Sequence, residues 1–281
     1  ASTGLASPPM AAAVARAVRP ERQDLTNTVV NAGTSAGVAL SGPIALVLGQ
    51  DWRLVFAIFA AAALAMAVVA FVVLPRHTGG GQSPVSSGLP RISPNLARLI
   101  GASFLMGASS TALWSFGGEL AAARLGWLSA GIGLLWIAMG AAGIVGAGAG
   151  ALVARWGLNT VHWTFLAMLA ASILAVGLPL TTPMLTLAGG ALFGAAYVTL
   201  TGVYLVWGIS ALPERPATGL MVGFLTAAIG QTAGAPVFGL LMGQLSPTVA
   251  AASFAVLGLV AGALRWQAAG SETPSAARAM S

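Results

Sequence analysis

The chain has 281 residues, of which 57% are hydrophobic and only 6% are charged. Soluble domains carry about 25% charged residues, so this chain lacks the polar groups that would cover a water-facing surface. The composition excludes an ordinary soluble enzyme, a disordered chain and, since there is no cysteine, a disulfide-framed secreted domain. The twelve basic residues are arginines scattered singly, which excludes a nucleic-acid-binding patch despite the net charge of +6. The sequence therefore predicts an integral membrane protein.

Uncharged apolar runs of about 20 residues predict membrane-spanning helices, and they recur along the whole chain. Residues 1–18 are apolar but contain Pro8-Pro9 and begin without methionine, so we expect the chain to open inside a span that has lost its N-terminal part. Two later runs divide at Thr182-Pro183 and Ser246-Pro247, because the residue before a proline is disfavoured in helical geometry. The eight complete spans lie in 25–50, 54–75, 99–118, 125–154, the two parts of 156–213 and the two parts of 216–264.

The arginines are unequally divided between the two sides of such a bundle. With nine spans, ten arginines fall on one side and only Arg53 and Arg124 on the other. The positive-inside rule then predicts a multi-pass protein of the inner (plasma) membrane with a cytosolic C-terminus. Residues 76–94, rich in Gly, Ser and Pro, predict a flexible cytosolic linker between three spans and six.

A sparse internal repeat relates the start of the chain to its last third. Pro20-Glu21-Arg22 recurs as Pro213-Glu214-Arg215, an offset of 193 residues, and Gly37 and Pro43 match Gly230 and Pro236 at the same offset. The three spans before the linker therefore resemble the last three. A parallel repeat of two helical halves is a known plan of secondary transporters.

With this repeat, two local motifs resemble the major facilitator superfamily in its twelve-helix bacterial form. The stretch Asn31 to Pro43, followed by Asp51-Trp52-Arg53, resembles the fifth helix of the family and its exit into the sixth. Gly150 to Gly157 resembles the family's cytosolic loop signature, with Ala154 at the position of its aspartate. The chain then corresponds to helices four to twelve, an N-terminally truncated fragment with about nine helices of twelve.

The resemblance implies a division into four regions. We expect a partial N-terminal bundle at 1–75, the linker at 76–94, a C-terminal six-helix bundle at 95–268 and a cytosolic tail at 269–281. Proline removes a backbone hydrogen bond and permits bending, so Pro43 and Pro236 are hinge candidates. The motifs add further hinge or gating candidates, namely Gly42, Gly150, Arg155 and Gly157.

Mid-span polar and aromatic side chains are the candidate substrate-binding residues, since in the family the substrate lies between the halves near mid-membrane. Polar groups in lipid are costly and should face a cavity or a partner helix. The alternative is that they only form hydrogen bonds between helices. The candidates are Asn31, Ser110, Trp114, Tyr197, Thr201 and Gln231.

The resemblance implies a secondary active transporter that moves a small molecule by alternating access, as a proton-coupled exporter. The alternatives are a membrane receptor or scaffold that binds a ligand without moving it, or a non-functional fragment. We expect no enzyme activity, cofactor or metal, and partners limited to the substrate, protons and the bilayer, in a monomer. No span carries a central carboxylate, so the acidic proton carrier is expected in the missing helices. His162, next to Trp163, is expected to be a hydrogen-bonded anchor at the cytosolic interface.

Overall fold

A computed structural model describes residues 18–48, 51–73 and 92–267, except for a few side chains, most of them on the first helix. Most of the predicted linker, nearly all of the predicted opening span and the predicted tail lie outside these ranges. Every regular element within them is helical, so the prediction of an all-α protein is confirmed. The helices are α1 (Pro20–Leu48), α2 (Trp52–Val73), α3 (Pro94–Trp114), α4 (Gly117–Leu125), α5 (Ser129–Gly143), α6 (Ala149–Trp156), α7 (Leu158–Gly177), α8 (Pro183–Ala211), α9 (Pro216–Gln244) and α10 (Pro247–Ala261).

Six segments of the described ranges are long and apolar enough to cross a membrane. They coincide with six of the eight predicted spans, α5 and α6 forming one segment with the turn between them. The other two predicted spans contribute shorter apolar stretches, Ser35–Ile44 within α1 and the 15 residues of α10. The chain is therefore a multi-pass membrane protein.

Three helices begin with the same local motif, a hydroxyl residue followed by proline. The side chains of Ser93, Thr182 and Ser246 each accept a hydrogen bond of 3.2 Å from a backbone N–H three residues further on. Such a cap satisfies one of the donors that a helix start leaves unpaired, and proline at the first helical position needs no donor. The predicted divisions before Pro183 and Pro247 are confirmed.

Two predicted spans contain breaks that the sequence did not indicate. The span predicted at 99–118 ends as a helix at Trp114, and α4 starts at Gly117 after two turn residues. The span predicted at 125–154 changes at Ile144–Gly148 into a 3-10 helix before α6 begins. A 3-10 segment inside a helix is frequent at hinges.

The core of the described residues is formed by side chains of α3 to α5 and α7 to α10. α8 lies at the centre and contacts α3, α5, α7 and α9, while α10 closes the bundle against α3 and α7. The largest fully buried side chains include Trp207, Phe193 and Phe238. Earlier in the chain, α1 packs along α5, whereas the window of α2 that meets the span criterion has no buried residue.

Glycines on both helices allow the close contact between α1 and α5. A Cβ atom at Gly140 would overlap the backbone of Ala39, so any larger residue would push α1 away. Small residues of this kind let membrane helices approach closely. Helix α1 is therefore held against α5 by close backbone contact.

Candidate functional site

A hydrogen-bonded pair occupies the middle of two neighbouring helices. Tyr197 and Gln231 lie halfway along α8 and α9, each of which has 29 residues. Gln231 Nε2 donates a hydrogen bond to the Tyr197 hydroxyl at 3.1 Å. Helices of this length place their midpoints near the centre of a bilayer, where a polar pair is expensive unless it is satisfied or functional.

Helix α3 supplies the groups that hold Gln231 in place. Gln231 Nε2 also donates to Ser110 Oγ at 3.2 Å, and Ser110 in turn donates to the carbonyl oxygen of Gly107 at 2.7 Å. Thr111 Oγ1 donates to the backbone carbonyl oxygen of Gln231 at 3.1 Å. Ser110 and Thr111 have no exposed surface. The side chain of Gln231 is thus held in place by buried hydroxyl groups of α3.

Aromatic rings surround this polar pair on one side. Trp114 stacks on Tyr197 with ring centroids 5.1 Å apart and an angle of 19° between the planes. Phe193, one turn before Tyr197, lies parallel to it at 5.8 Å. Trp136 of α5 contacts Trp114 at 5.5 Å. Offset aromatic contacts at such distances are favourable, so the four rings form a continuous aromatic wall.

Four of the predicted substrate-binding residues are therefore brought together: Ser110, Trp114, Tyr197 and Gln231. Thr201 lies one turn from Tyr197, and its hydroxyl donates to the carbonyl oxygen of Val198 at 2.7 Å. With Tyr204 and Phe224, Thr201 lines a small apolar pocket between α8 and α9. Asn31 lies on α1, and its side chain is outside the described residues.

Three members of the cluster were not among the predicted site residues. Trp136 could have been found from the sequence, because it lies inside a predicted span, as Trp114 does in another. Phe193 precedes Tyr197 by four residues and so shares its helical face. Thr111 carries no such signal, since its contact depends on how α3 and α9 are rotated toward each other.

The proline-associated hinge candidates lie within unbroken helices. Pro43 and Pro236 are exposed and are internal to α1 and α9. Gly42 is buried against α5, where a Cβ atom would lie 2.9 Å from Ile137 Cγ1. The contact at Gly42 thus resembles that of Gly140, a close approach between helices.

The loop-signature candidates surround a sharp change of chain direction. Gly157 has a φ of +79°, a conformation that side-chain-bearing residues rarely adopt, and it separates α6 from α7. Arg155 is exposed in the last turn of α6. Gly150 is exposed, and a Cβ atom there would meet nothing within 4 Å.

A second polar cluster lies nearer the predicted cytosolic end. His162 Nε2 is 3.0 Å from the Tyr204 hydroxyl, which donates to the carbonyl oxygen of Ala102 at 3.3 Å. Trp207 Nε1 donates to Asn95 Oδ1 at 2.9 Å. His162 has no exposed surface, so its hydrogen-bonded side chain is packed inside the bundle.

The helical fold is that of a multi-pass membrane protein whose central helices meet at an aromatic and amide cluster. The model of one family, described as Major Facilitator Superfamily, matches residues 1–230. The chain belongs to this superfamily, which consists of secondary transporters and not of enzymes. Searches of the curated proteins and of the solved structures returned no match.

Proposed function

We propose that the protein moves its substrate by alternating access and that the cluster of Ser110, Trp114, Tyr197 and Gln231 forms one wall of the substrate site. The observation that carries this proposal is the position of Gln231, which joins α3, α8 and α9 at mid-helix. A glutamine held at the centre of a membrane bundle is costly to maintain for packing alone. Asn31 and Thr201 complete the proposed set.

The two moving bodies are proposed to be residues 1–75 and 95–268, joined by the linker at 76–94 and followed by the tail at 269–281. The contact of α1 with α5 supports this division, because it is the main contact between the two regions in the described residues. Gly42 and Gly140 place no side chain between the two helices at that interface. Pro43, Pro236 and the turn at Gly150, Arg155 and Gly157 are proposed to permit the bending.

The direction of transport and its driving force are proposed from the sequence pattern. Gly42-Pro43 resembles the Gly-Pro pair of a motif typical of proton-coupled exporters, so export in exchange for protons is the proposed mode. The arginine distribution supports an inner-membrane protein with a cytosolic C-terminus. The proposed working unit is a monomer.

The test is transport in sealed vesicles by the protein expressed from its complete open reading frame. A panel of labelled small molecules is offered to inverted vesicles with an imposed proton gradient. We expect accumulation of at least one compound, abolished by a protonophore and unaffected by the absence of ATP. Accumulation that requires ATP, or that survives collapse of every ion gradient, would contradict the proposal.

A variant pair connects transport with the site. Gln231→Leu is expected to reduce the transport rate at least about 10-fold, because the bridge between α3 and α8 is lost. Gln244→Leu is the control, since Gln244 is an exposed glutamine at the end of the same helix. A receptor would bind the compound without accumulating it, so binding and accumulation are measured on the same preparations.

A further inference from the structure

The hydrogen-bonding capacity of Gln231 is only half used. Its amide nitrogen has two hydrogens, and these go to Ser110 and Tyr197. Because Ser110 gives its own hydrogen to Gly107, it has none left for Gln231 Oε1. No donor to Oε1 occurs among the described residues, and Oε1 is not among their buried polar atoms that lack a partner. Among the described residues, the amide oxygen is therefore an acceptor without a donor.

Tyr197 has the complementary capacity. Its hydroxyl oxygen accepts from Gln231 Nε2, so its hydrogen points elsewhere. Among the side chains that the structure describes, none accepts that hydrogen. The pair thus offers one hydrogen-bond donor and one acceptor side by side, both uncharged.

The surroundings of the pair favour a flat apolar molecule. Trp114, Trp136 and Tyr197 are partly exposed, whereas Phe193 is fully buried behind them. Aromatic faces bind other planar rings by stacking. The charged residues of the described ranges lie in loops or near helix ends, so this wall offers a buried ion no opposite charge. An anion placed against it would lose hydration without compensation, and a cation would recover only the part that the aromatic faces supply.

We infer that the site selects an uncharged, planar aromatic molecule with a hydrogen-bond donor and an acceptor on neighbouring atoms, as in an aromatic lactam. The N–H of such a ring donates to Gln231 Oε1, and its carbonyl oxygen accepts from the Tyr197 hydroxyl. The ring lies against Trp114 and Trp136. The inference rests on the proposed transport site and adds the chemistry of its substrate.

Ser110 is then a positioning residue. It accepts from Gln231 Nε2 and is itself fixed by Gly107, so it sets the direction in which Oε1 points. The Ser110→Ala variant removes the anchor and leaves both groups of the recognition pair intact. It should weaken lactam binding less than Gln231→Leu does.

Four probes separate the two hydrogen bonds and the effect of charge. 2-Quinolone has the donor and the acceptor, N-methyl-2-quinolone has only the acceptor, indole has only the donor, and N-methylquinolinium is a cation of similar shape. Binding to the protein from the complete open reading frame is measured by titration calorimetry in detergent, with empty micelles as the blank. We expect 2-quinolone to bind about 10-fold more tightly than either single-function probe, since one hydrogen bond is lost in each.

Two variants show which residue forms a hydrogen bond with which group of the probe. Tyr197→Phe keeps the ring and removes the donor, so it should weaken 2-quinolone and N-methyl-2-quinolone about 10-fold and leave indole unchanged. Gln231→Leu should weaken 2-quinolone and indole and leave N-methyl-2-quinolone unchanged. A purely structural role for either residue would weaken all probes equally.

Three results would overturn the inference: no saturable binding of 2-quinolone, binding of N-methylquinolinium as tight as that of 2-quinolone, or variants that do not discriminate among the probes. None of these three results bears on the proposed function, which depends on gradient-driven accumulation in vesicles. Conversely, selective binding without accumulation of any compound would contradict the transport proposal but would still support the inferred mode of binding.

Discussion

Gly107 of α3 lies directly against the backbone carbonyl group of Ala227 on α9. A Cβ atom at Gly107 would overlap that carbonyl oxygen and lie 2.9 Å from Ala227 Cα. The obstacle is backbone, which cannot rotate away as a side chain can. Because Ser110 and Gln231 lie one turn further along the same two helices, this contact sets the distance across which they bond.

We predict that Gly107→Ala destabilises the protein by about 1–3 kcal/mol, the usual cost of adding a methyl group to a packed interior. The measurement is the midpoint of thermal unfolding in detergent. Gly243→Ala is the control, since Gly243 lies on α9 and a Cβ atom there meets nothing within 4 Å. Equal midpoints for the two variants would show that the helices are not held this closely.

Arg124 ties three helix ends together at the predicted outer face. Its Nε donates to the carbonyl oxygen of Gly177 at 2.9 Å, and its terminal nitrogen donates to Thr248 Oγ1. The Gly177 carbonyl ends α7, where a helix leaves acceptors unpaired and favours a positive charge. We predict that Arg124→Ala lowers the free energy of unfolding by about 2 kcal/mol.

The specificity of this contact is checked by a double-mutant cycle. Thr248→Val should be destabilising in the native background and nearly neutral once Arg124 is alanine. Arg155→Ala is the control, as Arg155 is an exposed arginine in the last turn of α6. Additive effects of Arg124→Ala and Thr248→Val would contradict a direct bond between the two side chains.

The pairing of His162 with Tyr204 determines which nitrogen of the imidazole carries the hydrogen. Tyr204 donates to Ala102, so His162 Nε2 is the donor to Tyr204 and Nδ1 remains an acceptor. Nδ1 is buried and has no partner within the described residues. The Tyr204→Phe variant would leave the whole ring without a hydrogen bond.

We predict that Tyr204→Phe costs about 1–3 kcal/mol, the penalty for an unsatisfied buried polar group. In a His162→Leu background the same substitution should cost much less, because no polar ring remains to be satisfied. Unfolding midpoints of the four proteins give the coupling. If Tyr204→Phe is equally costly in both backgrounds, the hydrogen bond does not contribute to stability.

The segment after α10 is held by the start of α7. Asn159 Nδ2 donates to the carbonyl oxygen of Trp266 at 3.0 Å, and Trp266 N donates to Asn159 Oδ1 at 2.9 Å. We predict that Asn159→Ala raises the exchange rate of the Trp266 amide hydrogen at least about 10-fold. Asn159→Asp keeps the acceptor and should preserve most of the protection. Unchanged exchange in Asn159→Ala would mean that other contacts hold the segment.

Local signals decided how much of the fold could be predicted. The helix starts at Pro183 and Pro247 were predictable because proline and the hydroxyl cap before it act within a few residues. The break after Trp114, at Ser115 and Phe116, contains no proline or charge. The 3-10 segment at Ile144–Gly148 likewise contains no proline or charge.

The site was predictable only in part for a related reason. Helical spacing places Tyr197 and Thr201 on one face, yet the Thr201 hydroxyl bonds to the carbonyl oxygen of Val198 on its own helix. The bond between Gln231 and Ser110 depends on the rotation of α9 against α3. That rotation is set by contacts such as Gly107 against Ala227, which no single-helix pattern reveals.

The two ends of α7 are expected to face opposite sides of the membrane. These 281 residues contain no cysteine, so an introduced cysteine is the one thiol among them. Leu180 is 87% exposed in the loop between α7 and α8, and Arg155 is exposed at the opposite end of α7. In intact cells, a membrane-impermeant maleimide should label Leu180→Cys and spare Arg155→Cys, since the arginine-rich side is cytosolic. After permeabilisation both should react, which controls for access to the thiol. Labelling of Arg155→Cys alone in intact cells would invert the topology, and with it the proposed direction of export.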